Sequence, residues 1–395
     1  MDNIIIALYI ITYLIVYIFK IPGTEEIVSI SSVFSVLVII ICLYKIVKDN
    51  NLKKFFVNNY YINSIILIYS LYKIFITIIV DRSLIIFTLS NVVPLITFGV
   101  LLYTLEGKAN LNFKLVKIIK ISMVSCFIIS IIIYILGIDT MQISFNEIIK
   151  IIPGKENLDL YGERRLSFFF THKSRFAVYI LSLYMFVELF KFDRIKKIIF
   201  IVLSCILIFL SSSITVLGIY ALVILINEIY KNKDIIKKYI TKQVKIFGVI
   251  LGIIVISAFI YRLSIRTGVL TLGYRIPIWK AGLEYFGENP MGVIKQMDFF
   301  IISTGLNEGF NAFHSHNVFL QEMIGYGIPA FIMLIAIFVI ICRQFYLINK
   351  RMFVIFIGII IAFNFDYLID MEYINMFWYL IPLAINTCRE DVIKD

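Results

Sequence analysis

The sequence predicts an all-α integral membrane protein with about twelve transmembrane helices and two long extracytoplasmic loops. Composition, run length and charge placement predict it. Of 395 residues, 61% are hydrophobic and only 16% are charged. The mean hydropathy is +0.95, more apolar surface than a water-soluble domain has interior to hide. Apolar runs of about 20 residues, enough to cross a bilayer, recur along the chain. The net charge of +11 is read as lysine and arginine holding cytoplasmic loops inside, with no nucleic-acid partner.

The N-terminal region, 1–138, holds runs at 3–19, 27–44, 60–80, 84–105 and 115–138. The first, NIIIALYIITYLIVYIF, has no basic segment before it and no small-residue cleavage site after it, so it reads as a retained span. A long loop, 139–173, separates these from central helices in 174–261, with runs at 174–190, 197–211, 212–230 and 244–261. From 197 to 230 two readings stay open: two short helices joined at SSS (211–213), or one long kinked helix. A larger loop, 262–316, precedes the C-terminal region 317–395 and its runs 317–341, 352–369 and 371–388.

Of 37 lysines and arginines, 23 fall in alternate connections and the C-terminal tail, 13 lie on the other side, and Lys73 is within a span. An even span count with this asymmetry predicts a multi-pass protein of the cytoplasmic membrane with both termini in the cytoplasm. The five cysteines lie in or beside apolar runs without a CxxC pair, which points to packing and not to disulfides or a thiolate metal site.

Seven of the 11 arginines are in extracytoplasmic positions, against six of the 26 lysines. A guanidinium is a planar, permanent cation that grips phosphate through two parallel hydrogen bonds. Outer-face arginines at the membrane surface, here Arg82, Arg164, Arg165, Arg175, Arg262, Arg266 and Arg275, would suit a lipid-linked diphosphate. The bland alternative is contact with anionic head groups or loop carboxylates. All three histidines, His172, His314 and His316, share that face. An imidazole there can take a proton from a sugar hydroxyl. The His-x-His spacing lacks a nearby third ligand, so no metal is expected. The stretch 273–293 has helical spacing through Arg275, Trp279 and Leu283. It stops at Asn289-Pro290 and turns at Gly292, an amphipathic segment with Trp279 at the interface. GYG (325–327) followed by Pro329 breaks the helix begun at Asn317, and a broken helix at membrane depth lines a cavity.

At these residues the sequence resembles the O-antigen polymerase and O-antigen ligase superfamily of bacterial membrane glycosyltransferases. RLSFFFTHKSRFAVYIL (165–181) looks like the family's Arg-led segment. YRIPIWKAGLEYFGENPMGV resembles its R…W…NP…G pattern, and HSHNVFLQEMIGYGIPA is similar to its HN…LQ…YG signature. The resemblance implies a glycosyltransferase that takes glycan from an undecaprenyl-diphosphate carrier without metal or cofactor. His316 corresponds to the histidine that activates the acceptor hydroxyl, and Arg165 and Arg275 to arginines on the diphosphate. His314, Asn317, Trp279 and His172 are supporting candidates. A flippase and a chain-length regulator are expected partners.

Two departures stand out. Ile214 occupies the place of a family arginine, for which Arg164 or Arg175 is a substitute. Gly325 precedes the Tyr-Gly where many members are acidic, with Glu322 one turn earlier. Isoleucine- and lysine-rich composition points to an AT-rich genome, favouring a capsule or exopolysaccharide polymerase over a ligase. A flippase of the same glycan is the rival class, but it needs charges along its spans.

Overall fold

The computed structural model describes residues 18–20, 27–48, 60–142, 150–153, 164–168, 170, 172–190, 192–232, 275–294, 299–302, 309–312, 315–365 and 373–394. Eleven α-helices lie among them: α1 Ile30–Lys48, α2 Tyr60–Val80, α3 Ile85–Thr104, α4 Ala109–Ile135, α5 Lys173–Leu189, α6 Arg194–Leu210, α7 Ile214–Lys231, α8 Arg275–Glu288, α9 Val318–Ile348, α10 Lys350–Phe363 and α11 Tyr373–Lys394. Ten of the twelve expected apolar runs coincide with helices. Among the described residues, five segments, Tyr60–Val80, Arg82–Thr104, Ala109–Ile135, Ile214–Lys231 and Val318–Ile348, are long and apolar enough to cross a membrane.

The expected run 244–261 lies outside the described residues, as does 3–17 of the first run. Residues 18 and 19 of that run belong to a strand, β1 Ile18–Lys20, which pairs antiparallel with β2 Ile27–Ser29. Helix α1 therefore begins at Ile30, three residues later than the apolar run. Two further antiparallel hairpins sit in the long loops: β3 Ile138–Gln142 with β4 Lys150–Pro153, and β5 Phe299–Ile302 with β6 Gly309–Ala312. By sequence both loops are polar connections, because short apolar stretches bounded by polar residues give little strand signal.

Helix α5 is the axis of the packing. Residues 176–187 are all buried, as expected of a helix apolar on every side. It packs against α4, α6, α7, α10 and α11. Phe338 of α9, Phe356 and Phe363 of α10, and Phe377 and Trp378 of α11 form a continuous aromatic cluster, with ring centroids 4.8–6.1 Å apart. On the outside, Leu71, Ile121, Phe209, Leu225 and Val339 are all more than half exposed. An apolar belt of this extent suits hydrocarbon and not water.

The described parts of the two long loops adjoin one end of the bundle, beside the start of α5, the end of α6, the start of α9 and the end of α10. The opposite end is tied by charge. Glu188 of α5, 4% exposed, accepts from Lys197 of α6 and from Arg351 of α10 at 3.1 Å, and Lys197 also pairs with Glu228 of α7. Between α6 and α7 the chain breaks at 211–213, with Ser212 at φ +53. This settles 197–230 as two helices.

Helix α9 is interrupted. Gly327 has φ 80 and ψ 177 inside it, and Pro329 follows. Proline brings no N–H, so the Gly325 carbonyl loses its helical donor. The carbonyls of Ile324 and Gly325 accept from Val293 N at 3.2 Å and Ile294 N at 2.9 Å, and the Tyr326 carbonyl accepts from Tyr72 Oη at 3.1 Å. The loop after α8 thus replaces missing rungs of α9.

That docking requires Gly292. It has φ +89, and a Cβ there would overlap the Gly325 carbonyl. Gly292→Ala is expected to destabilise the protein by about 3 kcal/mol, from roughly 1–2 kcal/mol of left-handed strain and about 1 kcal/mol for each lost hydrogen bond. Gly287 in α8 faces open space where a methyl group would go, so Gly287→Ala should be neutral or stabilise by up to about 1 kcal/mol. Thermal unfolding in detergent measures both. Equal effects would show that the docking contributes nothing.

Candidate active site

The site is built where α8, α9 and α10 meet at the loop-bearing end. Pro277 lies in the first turn of α8, where a missing N–H forfeits no helical bond. Asn289 and Pro290 stop the helix, as the residue before proline disfavours further turns. One side of α8 is buried: Ile278 packs on Ile324 of α9, with Leu320 and Tyr285 beside them.

Asn317 caps α9. Its Oδ1 accepts from Phe319 N and Leu320 N, both at 3.0 Å, satisfying two of the four donors a helix start leaves open. Ser315 is fully buried. Its N–H donates to Gln321 Oε1 at 2.8 Å, its hydroxyl donates to the Asn317 carbonyl at 2.9 Å, and its carbonyl accepts from Trp279 Nε1 at 2.9 Å. His316, between two anchored neighbours, is partly exposed and takes φ +51. That left-handed conformation is unfavourable for a residue with a Cβ and persists where its surroundings over-determine it.

Arg275, the first residue of α8, donates through Nε to the Phe365 carbonyl at 2.7 Å, just past the end of α10. Asn317 Nδ2 reaches Asn364 Oδ1 at 3.4 Å. Arg275, Trp279, His316 and Asn317 are therefore brought together by direct bonds or shared neighbours.

The start of α5 lies at the same level. Arg351 pairs with Glu188 at the other end, and both Asn364 and Arg175 lie thirteen residues further along these antiparallel helices, about 20 Å in each case. His172 caps α5, its Nδ1 accepting from Ser174 N at 3.3 Å, so its proton sits on Nε2 when the ring is neutral. Leu166 N donates to the Leu210 carbonyl at 3.0 Å, which sets the half-buried Arg165 beside the end of α6. Lys173 Nζ reaches the Ser212 carbonyl at 3.5 Å, making it a cation close to Ile214.

Arg164 is committed elsewhere. It pairs with buried Asp139 at 2.6 Å, donates to the Tyr134 carbonyl at 3.0 Å, and lies 4.2 Å from the Tyr134 ring centroid. The hydrogen bond to Asp139 pushes its pKa above the usual arginine value, so it is a fixed cation latching β3 to the segment at 164–168. His314 lies outside the described residues. Among the described residues no three His, Cys, Asp or Glu side chains converge as a metal site would require.

Sequence reasoning missed Ser315, Gln321, Asn364 and Lys173, whose roles rest on carbonyls and amides that common polar residues engage without a spacing signature. It also offered Arg164 for a phosphate role without any sign of Asp139 as its partner.

Residues 198–335 match the family model described as O-antigen ligase. That segment spans Arg275, Trp279, His316 and Asn317 but not Arg164, Arg165, His172 or Arg175. No curated protein that was compared matches the chain. The match covers about a third of the chain; this similarity of residues 198–335 to the O-antigen ligase family supports a membrane enzyme of surface-polysaccharide assembly.

Proposed function

We propose that this protein polymerises lipid-linked oligosaccharide repeat units on the outer face of the bacterial cytoplasmic membrane. The observation that carries the reading is the junction of His316, Trp279 and Arg275 at one end of an apolar bundle, level with Arg175. A glycan on a polyprenyl diphosphate has its lipid in the bilayer and its sugars in water. The bond to be broken therefore sits at the depth of such a junction.

In this reading His316 accepts the proton of the attacking sugar hydroxyl. The hydroxyl oxygen bonds to the anomeric carbon of the donor as the bond from that carbon to the diphosphate oxygen breaks. The electron pair leaves with the undecaprenyl diphosphate. Arg165, Arg175 and Arg275 neutralise that charge, while Arg164 stays paired with Asp139 and holds the loop. Asn317 and Trp279 set the backbone on either side of His316, His172 orders the start of α5, and His314 neighbours the base in sequence. The description of the matched family favours a second reading, in which the same chemistry delivers the glycan to a terminal acceptor as a ligase does.

The length distribution of surface glycan in the native host tests this. His316→Ala and His316→Asn, present at normal level, are expected to lower chain extension by about 100-fold or more, the scale of general-base loss. Asn tolerates the left-handed backbone better than Ala, so His316→Asn should be the more thermostable of the two while remaining inactive. Long chains retained on the carrier would identify a ligase. Wild-type lengths in both variants would sink the assignment of His316, and repeat units trapped in the cytoplasmic leaflet of a deletion strain would indicate a flippase.

Arg275→Lys keeps the charge and discards the fork. It should raise the donor concentration needed for half-maximal rate by roughly 10-fold or more, the equivalent of one charge-assisted hydrogen bond. Unchanged donor dependence in proteoliposomes would remove Arg275 from the diphosphate.

A further inference from the structure

Lys73 and Glu322 are charged side chains that neither the long-loop chemistry nor the Glu188 cluster uses, and they are paired inside the bundle. Lys73 of α2 lies 3.0 Å from Glu322 of α9, and the two side chains are 6% and 11% exposed. Tyr69 Oη donates to Glu322 Oε1 at 2.7 Å. The Lys73 ammonium stands 3.8 Å from the centroid of the Tyr326 ring, and the Tyr326 hydroxyl shares a 3.1 Å hydrogen bond with Thr88 of α3. Glu322 and Tyr326 are one turn apart on one face of α9.

The packing reason for such a pair is weak. Two buried charges forfeit hydration that their attraction at best restores, and apolar side chains of similar size would join α2 to α9 as well. Ionisable side chains at membrane depth are kept for function. Their place in the fold says which function. Non-helical Gly327 separates residues 318–326 from the rest of α9, so this short helix cannot rely on its own continuation for its height and rotation. On one side α8 packs against Leu320 and Ile324. On the other, the side chains of Glu322 and Tyr326 are held by α2 and α3. His316 and Asn317 stand at its tip.

We propose that the Lys73–Glu322 pair is a positioning device that fixes the half-helix 318–326, and with it His316, relative to the bundle. This rests on the glycosyltransfer reading for its catalytic consequence but not for its structural one.

The full-length protein in proteoliposomes tests both, with Glu322→Gln, Lys73→Met and the conservative Lys73→Arg. Turnover and donor dependence are measured beside amide hydrogen exchange. Glu322→Gln and Lys73→Met are expected to lower turnover 10- to 100-fold with donor dependence changed less than threefold. They should accelerate exchange at 315–326 while α5 and α10 keep wild-type protection, and Lys73→Arg should recover most of both effects. Wild-type exchange at 315–326 in Glu322→Gln and Lys73→Met would overturn the proposal, whatever the activity. So would acceleration spread evenly through α5 and α10, which would make the pair a general stabiliser. If exchange responds locally while His316→Ala still makes full-length glycan, the positioning stands and the reaction assigned to His316 falls.

Discussion

A backbone carbonyl without a donor has nowhere to turn inside an apolar bundle, and this constraint organises the loop-bearing end. The break at 327–329 strips the Gly325 carbonyl of its helical donor, and the Ile324 and Gly325 carbonyls both take donors from outside α9. Water would satisfy those groups on a soluble protein's surface; among lipid-facing helices the protein must do it itself. The donors come from Val293 and Ile294, which can approach only because Gly292 lets the chain turn with no side chain in the way. Tyr72 serves the neighbouring carbonyl of Tyr326. A defect in one helix thus fixes where α8 ends and how α2 sits against α9.

Placing α8 in turn places the site. With its end pinned at 293–294 and its face packed through Ile278, α8 presents Trp279 to the Ser315 carbonyl and Arg275 to the Phe365 carbonyl. Together with the bonds that join Asn317 to Asn364 and to the start of α9, the Trp279 bond holds both neighbours of His316, which allows a left-handed residue there. The break in α9 and the strain at His316 are then two parts of one arrangement: the first supplies the loop that holds the second.

Much of this was legible in the chain. Apolar length located the helices, since a span must be apolar over its whole extent whatever it touches. Asn289-Pro290, Gly292 and GYG with Pro329 located the breaks, since proline and glycine act through their own backbones. What stayed hidden depends on partners distant in sequence. Arginines concentrated in two loops looked equivalent, yet Arg164 is consumed by Asp139, 25 residues away. Lys73 stood out as a charge within a span, and Glu322 as a displaced acid, but nothing in their spacing of 249 residues announced that they meet. Strands β3 to β6 were missed because hairpin pairing inside a long loop is decided by contacts, not by periodicity.

The two ends of the bundle also divide labour. Among the described residues, the four non-glycine residues with positive φ are Phe168, Ser212, Ile294 and His316. All belong to the loop-bearing end. Conformations of this kind each cost on the order of 1–3 kcal/mol and collect where function demands a shape the chain would not choose. The opposite end shows the reverse economy: among the described residues, Glu188, Lys197, Glu228 and Arg351 join in a balanced charge cluster that clamps α5, α6, α7 and α10. Since α5 and α10 run the length of the bundle from that clamp, its rigidity reaches the level of Arg175 and Asn364. A stable end held by charge and a strained end held by hydrogen bonds are what a membrane protein needs to keep His316, Trp279 and Arg275 in fixed relation to the start of α5 at an interface where lipid offers no support.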